Sequence, residues 1–175
     1  MSDIHNNMNK TKTLLAGFTM VELLITIALA AIVTSMAVPS FRDFSLNNRL
    51  TTQNNEFVSS LNLSRSEAIK RNASITVCSS NDQATCTGSS WQSGWVVRVT
   101  SSGELLRAYN ALSGSTTLTN AGNITSIQYD ASGFLNGGAS QSFLFCDNRT
   151  AESGRQIVIS GTGRPNNTSP FPVCS

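Results

Sequence analysis

Between Phe18 and Val38 lie 21 residues whose only charged side chain is Glu22, and the run ends against Pro39. At ~1.5 Å rise per residue a helix of that length measures roughly 30 Å, enough to cross a bilayer. Beyond Pro39 the hydrophobic pattern becomes one-sided. Leu46, Leu50, Phe57, Leu61 and Ala68 recur at intervals of four or seven, with Val58 and Ile69 beside them, while Arg49, Glu56, Glu67 and Lys70 fall on the opposite face. That spacing predicts an amphipathic helix ending near Arg71-Asn72. Pro39 removes one backbone donor and crowds the turn before it, so it is expected to kink the helix and not to end it. The stripe should pack on the chain's own sheet, because there is no other long apolar helix to cover it.

After Asn72 the period drops to two. Ile75 to Cys78, Trp95 to Thr100, Glu104 to Tyr109, Ile124 to Tyr129, Ser142 to Cys146 and Arg155 to Ser160 are short and rich in β-branched or aromatic residues. Each is bounded by turn chemistry, so each reads as a strand. Ser101-Ser102-Gly103 joins two of them closely enough for a hairpin. Asn136-Gly137-Gly138 and Gly161-Thr162-Gly163 punctuate the second half, and segments 79–94 and 110–123 read as polar loops. The expected fold class is α+β, a long N-terminal helix packed on an antiparallel β-sheet head, with no internal repeat.

The flanks of the apolar run say what kind of segment it is. A secretory signal has a short apolar core followed by small residues at a cleavage site, whereas here the small residue, Gly17, precedes a core too long for that role. Lys10 and Lys12 precede the span and acidic residues are nearly absent there, so the positive-inside bias keeps the N-terminus cytoplasmic and exports the chain beyond Pro39. An ionisable group about one turn inside an apolar span is costly, which makes Glu22 a functional candidate.

The octet Gly17-Phe18-Thr19-Met20-Val21-Glu22-Leu23-Leu24 behind a short basic leader closely resembles the type III signal of prepilins of the type IV pilus and type II secretion families. The resemblance implies that prepilin peptidase cuts between Gly17 and Phe18 and that the new amine of Phe18 is N-methylated. It also implies that Glu22 pairs with the N-terminal amine of a neighbouring subunit during assembly. In a low-dielectric helical bundle a carboxylate and an ammonium each lack water, and each supplies what the other needs. Four segments are then expected: leader 1–17, transmembrane half-helix 18–38, amphipathic half-helix 39–72 and β-rich head 73–175.

The likeness narrows further along the chain. Leu61-Asn62-Leu63-Ser64-Arg65-Ser66-Glu67-Ala68-Ile69-Lys70-Arg71-Asn72, then Ile75-Thr76-Val77-Cys78, Gly94-Trp95-Val96-Val97, Cys146-Asp147-Asn148-Arg149 and Gly154-Arg155-Gln156-Ile157-Val158, resemble the GspH/FimT-type minor pilins and pseudopilins. What this implies is the type IV pilin fold and a low-abundance subunit of the priming or tip complex of a type IV pilus. Its partners would be prepilin peptidase, other minor pilins, and the major pilin or pseudopilins. It would reside in the inner membrane with a periplasmic head, then in the fibre at the cell surface. The alternatives are a type II secretion pseudopilin of the H type and a DNA-binding pilin for natural transformation.

Composition bears on those alternatives. From Pro39 on, ten Lys and Arg stand against eight Asp and Glu, too small an excess for a whole-domain basic field. Some FimT-branch members bind DNA through a C-terminal Gly-Arg-x-Arg motif, and the matching tetrad here, Gly163-Arg164-Pro165-Asn166, lacks the second arginine. Arg149, Arg155 and Arg164 are the candidate phosphate contacts, each adding about one unit of salt slope if used. The competing reading, in which each caps a loop or pairs with Asp147 or Glu152, is favoured and moves the chain toward FimU-like structural minor pilins.

Cys78, Cys86, Cys146 and Cys174 all fall in the exported part, where disulfides persist. Four cysteines allow three connectivities. The favoured one joins Cys78 to Cys86 around a small loop and Cys146 to Cys174 at the C-terminal tail. A metal site lacks Cys-x-x-Cys spacing, and His5, the only histidine, lies in the leader. Without histidine, free thiol or phosphate-cradling glycine loop in the mature chain, neither enzyme activity nor a cofactor is expected.

Overall fold

The computed structural model describes residues 17–149, 154–168 and 173–174; the leader positions His5, Lys10 and Lys12, and Glu152, lie outside the described residues. The chain divides into two compact units, one ending at Arg42 and one running from Asp43. Helix α1, Met20–Arg71, runs through both and continues past Pro39. Its start is set by Thr19, whose Oγ1 accepts the Glu22 backbone N–H (3.2 Å), an N-cap that satisfies one of the orphan donors of the first turn. Its end is set by Asn72, which takes the left-handed conformation (φ 49°). Asn72 N–H then donates to Ile69 O (3.3 Å) and Ala73 N–H to Ala68 O (3.2 Å), the paired closure of a Schellman motif.

The second unit holds the head. Strands β1 (Ile75–Ser79), β2 (Trp95–Val99), β3 (Leu105–Tyr109) and β5 (Ser126–Tyr129) form one antiparallel sheet in the order β3-β2-β1-β5. Strands β4 (Thr117–Asn120), β6 (Gln141–Cys146), β7 (Arg155–Ile159) and β8 (Pro165–Asn167) form a second, in the order β4-β6-β7-β8. The head therefore has two sheets where one was expected. Segment 110–123, expected as loop, contains β4, and segment 79–94 contains the 3₁₀ turn Trp91–Ser93. Thr117-Leu118-Thr119-Asn120 carries a single large apolar side chain, so alternation alone is too faint to reveal it. Strand β8 begins at a proline, which demotes a segment in any sequence-based reading.

The helical stripe meets both sheets. Leu50, Phe57, Leu61 and Ala68 are buried, whereas Ile69, expected beside them, is half exposed. Phe57 is the wedge: its ring lies 5.2 Å from Trp95 of β2 and 5.5 Å from Trp91, edge to face, and 5.0 and 6.0 Å from Phe143 and Phe145 of β6. Edge-to-face rings add about 1 kcal/mol each beyond area burial, so one helical side chain ties sheet to sheet. Between the apolar positions Ser60 and Ser64 are also fully buried. Their hydroxyls donate back to Phe57 O and Ser60 O (2.7 Å each), which removes the cost of burying them and keeps the helix thin against the strands.

The cysteines are joined Cys78 to Cys86, with Cα atoms 5.4 Å apart, and Cys146 to Cys174, 5.8 Å apart. Inside the first loop Asp82 accepts from the Thr85 hydroxyl, the Thr85 and Ala84 backbone N–H groups and the Ser80 hydroxyl. Those donors, the Thr85 hydroxyl foremost, hold its carboxyl well below the usual carboxylate range.

Candidate assembly site

From Gly17 to Phe44 every residue is exposed. The exposed large side chains include Phe18, Met20, Val21, Leu23, Leu24, Ile25, Ile27, Leu29, Ile32, Val33, Met36, Val38, Phe41 and Phe44, an apolar surface running all round the helix. A helix of this length and composition is long and apolar enough to cross a membrane. Three hydroxyls of the apolar span bond within the helix: Thr26 donates to Leu23 O (2.8 Å), Thr34 to Ala30 O (2.8 Å) and Ser35 to Ile32 O (2.7 Å). Within the apolar span, Glu22 is then the side chain left asking for a polar partner from a lipid or protein neighbour. Among the described residues no atom lies within 4 Å of where a Cβ on Gly17 would stand. Thr19, not among the candidates read from sequence, fixes Glu22 as the third residue of the helix and leaves Phe18 outside it. The signal was present, since Thr-x-x-Glu before an apolar run is an N-terminus signature.

The three candidate arginines do not converge. Arg149 is 15% exposed and lies against Asp147, itself 4% exposed: Nε is 3.0 and 3.1 Å from the two carboxylate oxygens and Nη2 is 2.7 Å from Oδ2. The same guanidinium donates from Nη2 to Asn47 Oδ1 (3.0 Å) and sits 3.6 Å from Asp43, so it fastens the β6–β7 connection to α1. Burial pushes the Asp147 carboxyl up, but hydrogen bonds and charge from Arg149, helped by Arg49, outweigh it and leave the pKa lowered. Arg155 opens β7 and donates from Nη1 to Gly154 O (3.1 Å). Arg164 stands exposed beyond the other end of that strand, roughly 16 Å away at 3.3 Å per residue.

Nor is Gly161-Thr162-Gly163 the flexible segment that glycine content suggests. A Cβ on Gly161 would fall 2.2 Å from Gly138 O, and one on Gly163 2.1 Å from Gly133 O. Gly163 also has φ +79°. These glycines exist because the turn from the second sheet is pressed against the turns that follow β5, with Leu135 N–H donating to Gly161 O (3.0 Å). Tyr129 is fully buried beside that seam, and burial pushes its hydroxyl pKa well up.

A groove of about 230 Å³ is lined by Ser126, Gln128, Asn136 and Gln141 over Ile127 and Leu135, with no titratable side chain in its wall. Among the described residues there is no cluster of His, Cys, Asp and Glu suited to a metal ion.

In the comparisons, no curated protein matches the chain. Among solved structures, the type IV minor pilin FimU of Pseudomonas aeruginosa strain PAO1 superposes with a TM-score of 0.63 at 23% identity, over 75% of this chain and 97% of that one. A second crystal form of the same pilin gives 0.57 at 22%, over 69% and 94%. At that identity the likeness is one of fold: a long helix on antiparallel sheets, the type IV pilin fold. A family model described as type II transport protein GspH matches residues 53–163, from the buried half of α1 through β7 to the Gly161–Gly163 turn. Since that match takes in well over half of the chain, the protein belongs to the GspH family.

Proposed function

We propose that the chain is a minor pilin, made as a membrane precursor and incorporated into the priming or tip complex of a type IV pilus. The observation that carries this reading is α1 itself. One part is apolar on all sides with Glu22 as its lone charge, and the other is built into a folded head. An all-round apolar helix needs lipid or other helices around it, and a subunit extracted from one to the other would keep the same surface satisfied throughout. In this reading prepilin peptidase cuts after Gly17, Phe18 becomes the methylated N-terminus, and Glu22 meets the amine of a neighbouring subunit. The N-terminus starts in the cytoplasm and the head faces the periplasm, then the outside of the cell.

A second reading, a type II secretion pseudopilin, is favoured by the family description, which names type II transport. The two share the same helix physics, so the discriminating experiment is biological. Deleting the gene and scoring surface pili, twitching, DNA uptake and exoprotein secretion side by side should abolish or thin the pili and leave secretion intact; the opposite outcome selects the pseudopilin. Mass spectrometry of the mature protein should find N-methylated Phe18, and an intact Met1 would overturn the processing step.

A further inference from the structure

Four strands end a sheet in the head, and they differ in what they offer to a further strand. Strand β8 is three residues long and begins with Pro165, which has no N–H to offer. The outer side of β5 is taken by the turn after it, where Asp130 N–H donates to Phe134 O (2.9 Å) and Asn136 N–H to Gln128 O (2.8 Å). Strand β4 is four residues long, lies near the Trp91–Ser93 turn, and has Leu118 and Asn120 buried. Strand β3 has no proline, and Leu105, Arg107 and Ala108 are exposed along it. Ser80 N–H donates to Gly94 O (3.0 Å) and Thr100 N–H to Ser74 O (2.9 Å), so antiparallel alternation turns the backbone groups of Val96 and Arg98 toward β1. Those of Trp95 and Val97 then face Tyr109 and Arg107 of β3, which leaves the N–H and C=O of Ala108 directed outward, while the register shift between Val97 and Arg98 makes Leu106 a bulge without a partner on β2.

The side chains along this edge define what fits it. Leu105 is 43% exposed, and Arg107 and Ala108 are exposed as well. Arg107 rests 5.8 Å from the Tyr109 ring centroid and makes no ion pair among the described residues. An edge of this kind invites strand addition. A second copy is a poor occupant. The two-fold antiparallel register centred on Arg107 sets it against its own counterpart, and like charges directly opposite each other are destabilising. We propose that β3 accepts an edge strand from a different exported pilin-type subunit, one that places Asp or Glu opposite Arg107 and apolar or β-branched residues along Leu105 and Ala108. This rests on the fibre-subunit reading above.

The test places a photo-cross-linking amino acid at Ala108 of the full-length chain, expressed in the cells whose fibres it enters. Incorporation into sheared fibres is scored separately from cross-link yield. The expected product joins position 108 to an extended, Asp- or Glu-bearing segment of a different pilin-type subunit. Arg107→Glu should lower its yield about tenfold, since attraction becomes repulsion, while Arg107→Lys should keep most of it. Ala108→Pro, which removes an outward N–H and no bond to β2, should reduce incorporation while leaving the melting temperature unchanged. A product formed only with a second copy, a yield indifferent to Arg107→Glu, or no product from fibres that contain the chain would each overturn the proposal and leave the pilin reading standing. Absence of the wild-type chain from fibres would overturn both.

Discussion

Arg149→Ala separates a structural arginine from a nucleic-acid contact, because the two roles predict opposite pairs of results. The substitution strips Asp147, only 4% exposed, of its guanidinium and breaks the links to Asn47 and Asp43 on α1. Removing one partner of a buried pair costs about 3–5 kcal/mol, because the other is left charged without water. Asp43 is well exposed and adds little, so the lower end, about 3 kcal/mol, is expected. In a body of this size that lowers the melting temperature by about 10 °C. The assay is thermal unfolding of the full chain in detergent, followed by the fluorescence of Trp91 and Trp95, both buried in the core. Adding Asp147→Asn should restore roughly half of the loss, since it removes the stranded charge. The pH dependence carries its own sign. Asp147 has a lowered pKa in the native protein, so its contribution is present above its ordinary value near 3.8 and is lost as pH falls below it. In Arg149→Ala the side-chain hydrogen bonds and charge are lost while the backbone N–H of position 149 and Arg49 remain, so that pKa lies above its wild-type position and the deficit against wild type should shrink as the carboxyl protonates at low pH. A melting temperature within about 2 °C of wild type together with lost DNA binding would refute the structural assignment.

Substitutions at the glycine seam, the disulfides and Arg164 have outcomes of their own. Gly163→Ala should cost at least about 2 kcal/mol, because it combines φ +79° with a Cβ 2.1 Å from Gly133 O, whereas Gly137→Ala, with φ +85° and open space, should cost about 1 kcal/mol in the same melt; equal losses would mean that the seam yields. Replacing Cys146 and Cys174 by Ala should cost about 3.5 kcal/mol on the loop-entropy scale, and Cys78 with Cys86 about 2.5, as read by denaturant unfolding; the reverse order would show that strain or residual structure outweighs loop length. Arg164→Gln should leave fibre assembly and DNA uptake near wild type, scored by piliation and transformation frequency, and tight salt-sensitive DNA binding that vanishes in this variant would favour the receptor role.

What the chain discloses in sequence and what it conceals divide along physical lines. The apolar run with Glu22, the stripe through Leu50, Phe57 and Leu61, and the β-branched strands are legible because burial imposes a period on them. Strand β4 is not, because its membership comes from pairing with β6 and its two buried residues are one apolar, Leu118, and one polar, Asn120. Gly161 and Gly163 suggest freedom in sequence and mark close backbone approach in the fold, a distinction that depends on Gly133 and Gly138, more than twenty residues earlier in the chain. Arg149 is legible in part. Its neighbour Asp147 is visible two residues away, but Asn47 and Asp43 join it only through the fold.

The most direct measurement is complementation of a deletion strain with Glu22→Ala, scored at once for processing and for incorporation into sheared fibres. If the carboxylate serves assembly, removing it eases insertion into the membrane. The precursor should then be cut and methylated at Phe18 at least as well as wild type, while the amount recovered in fibres falls at least tenfold. Fibre incorporation equal to wild type would contradict the account.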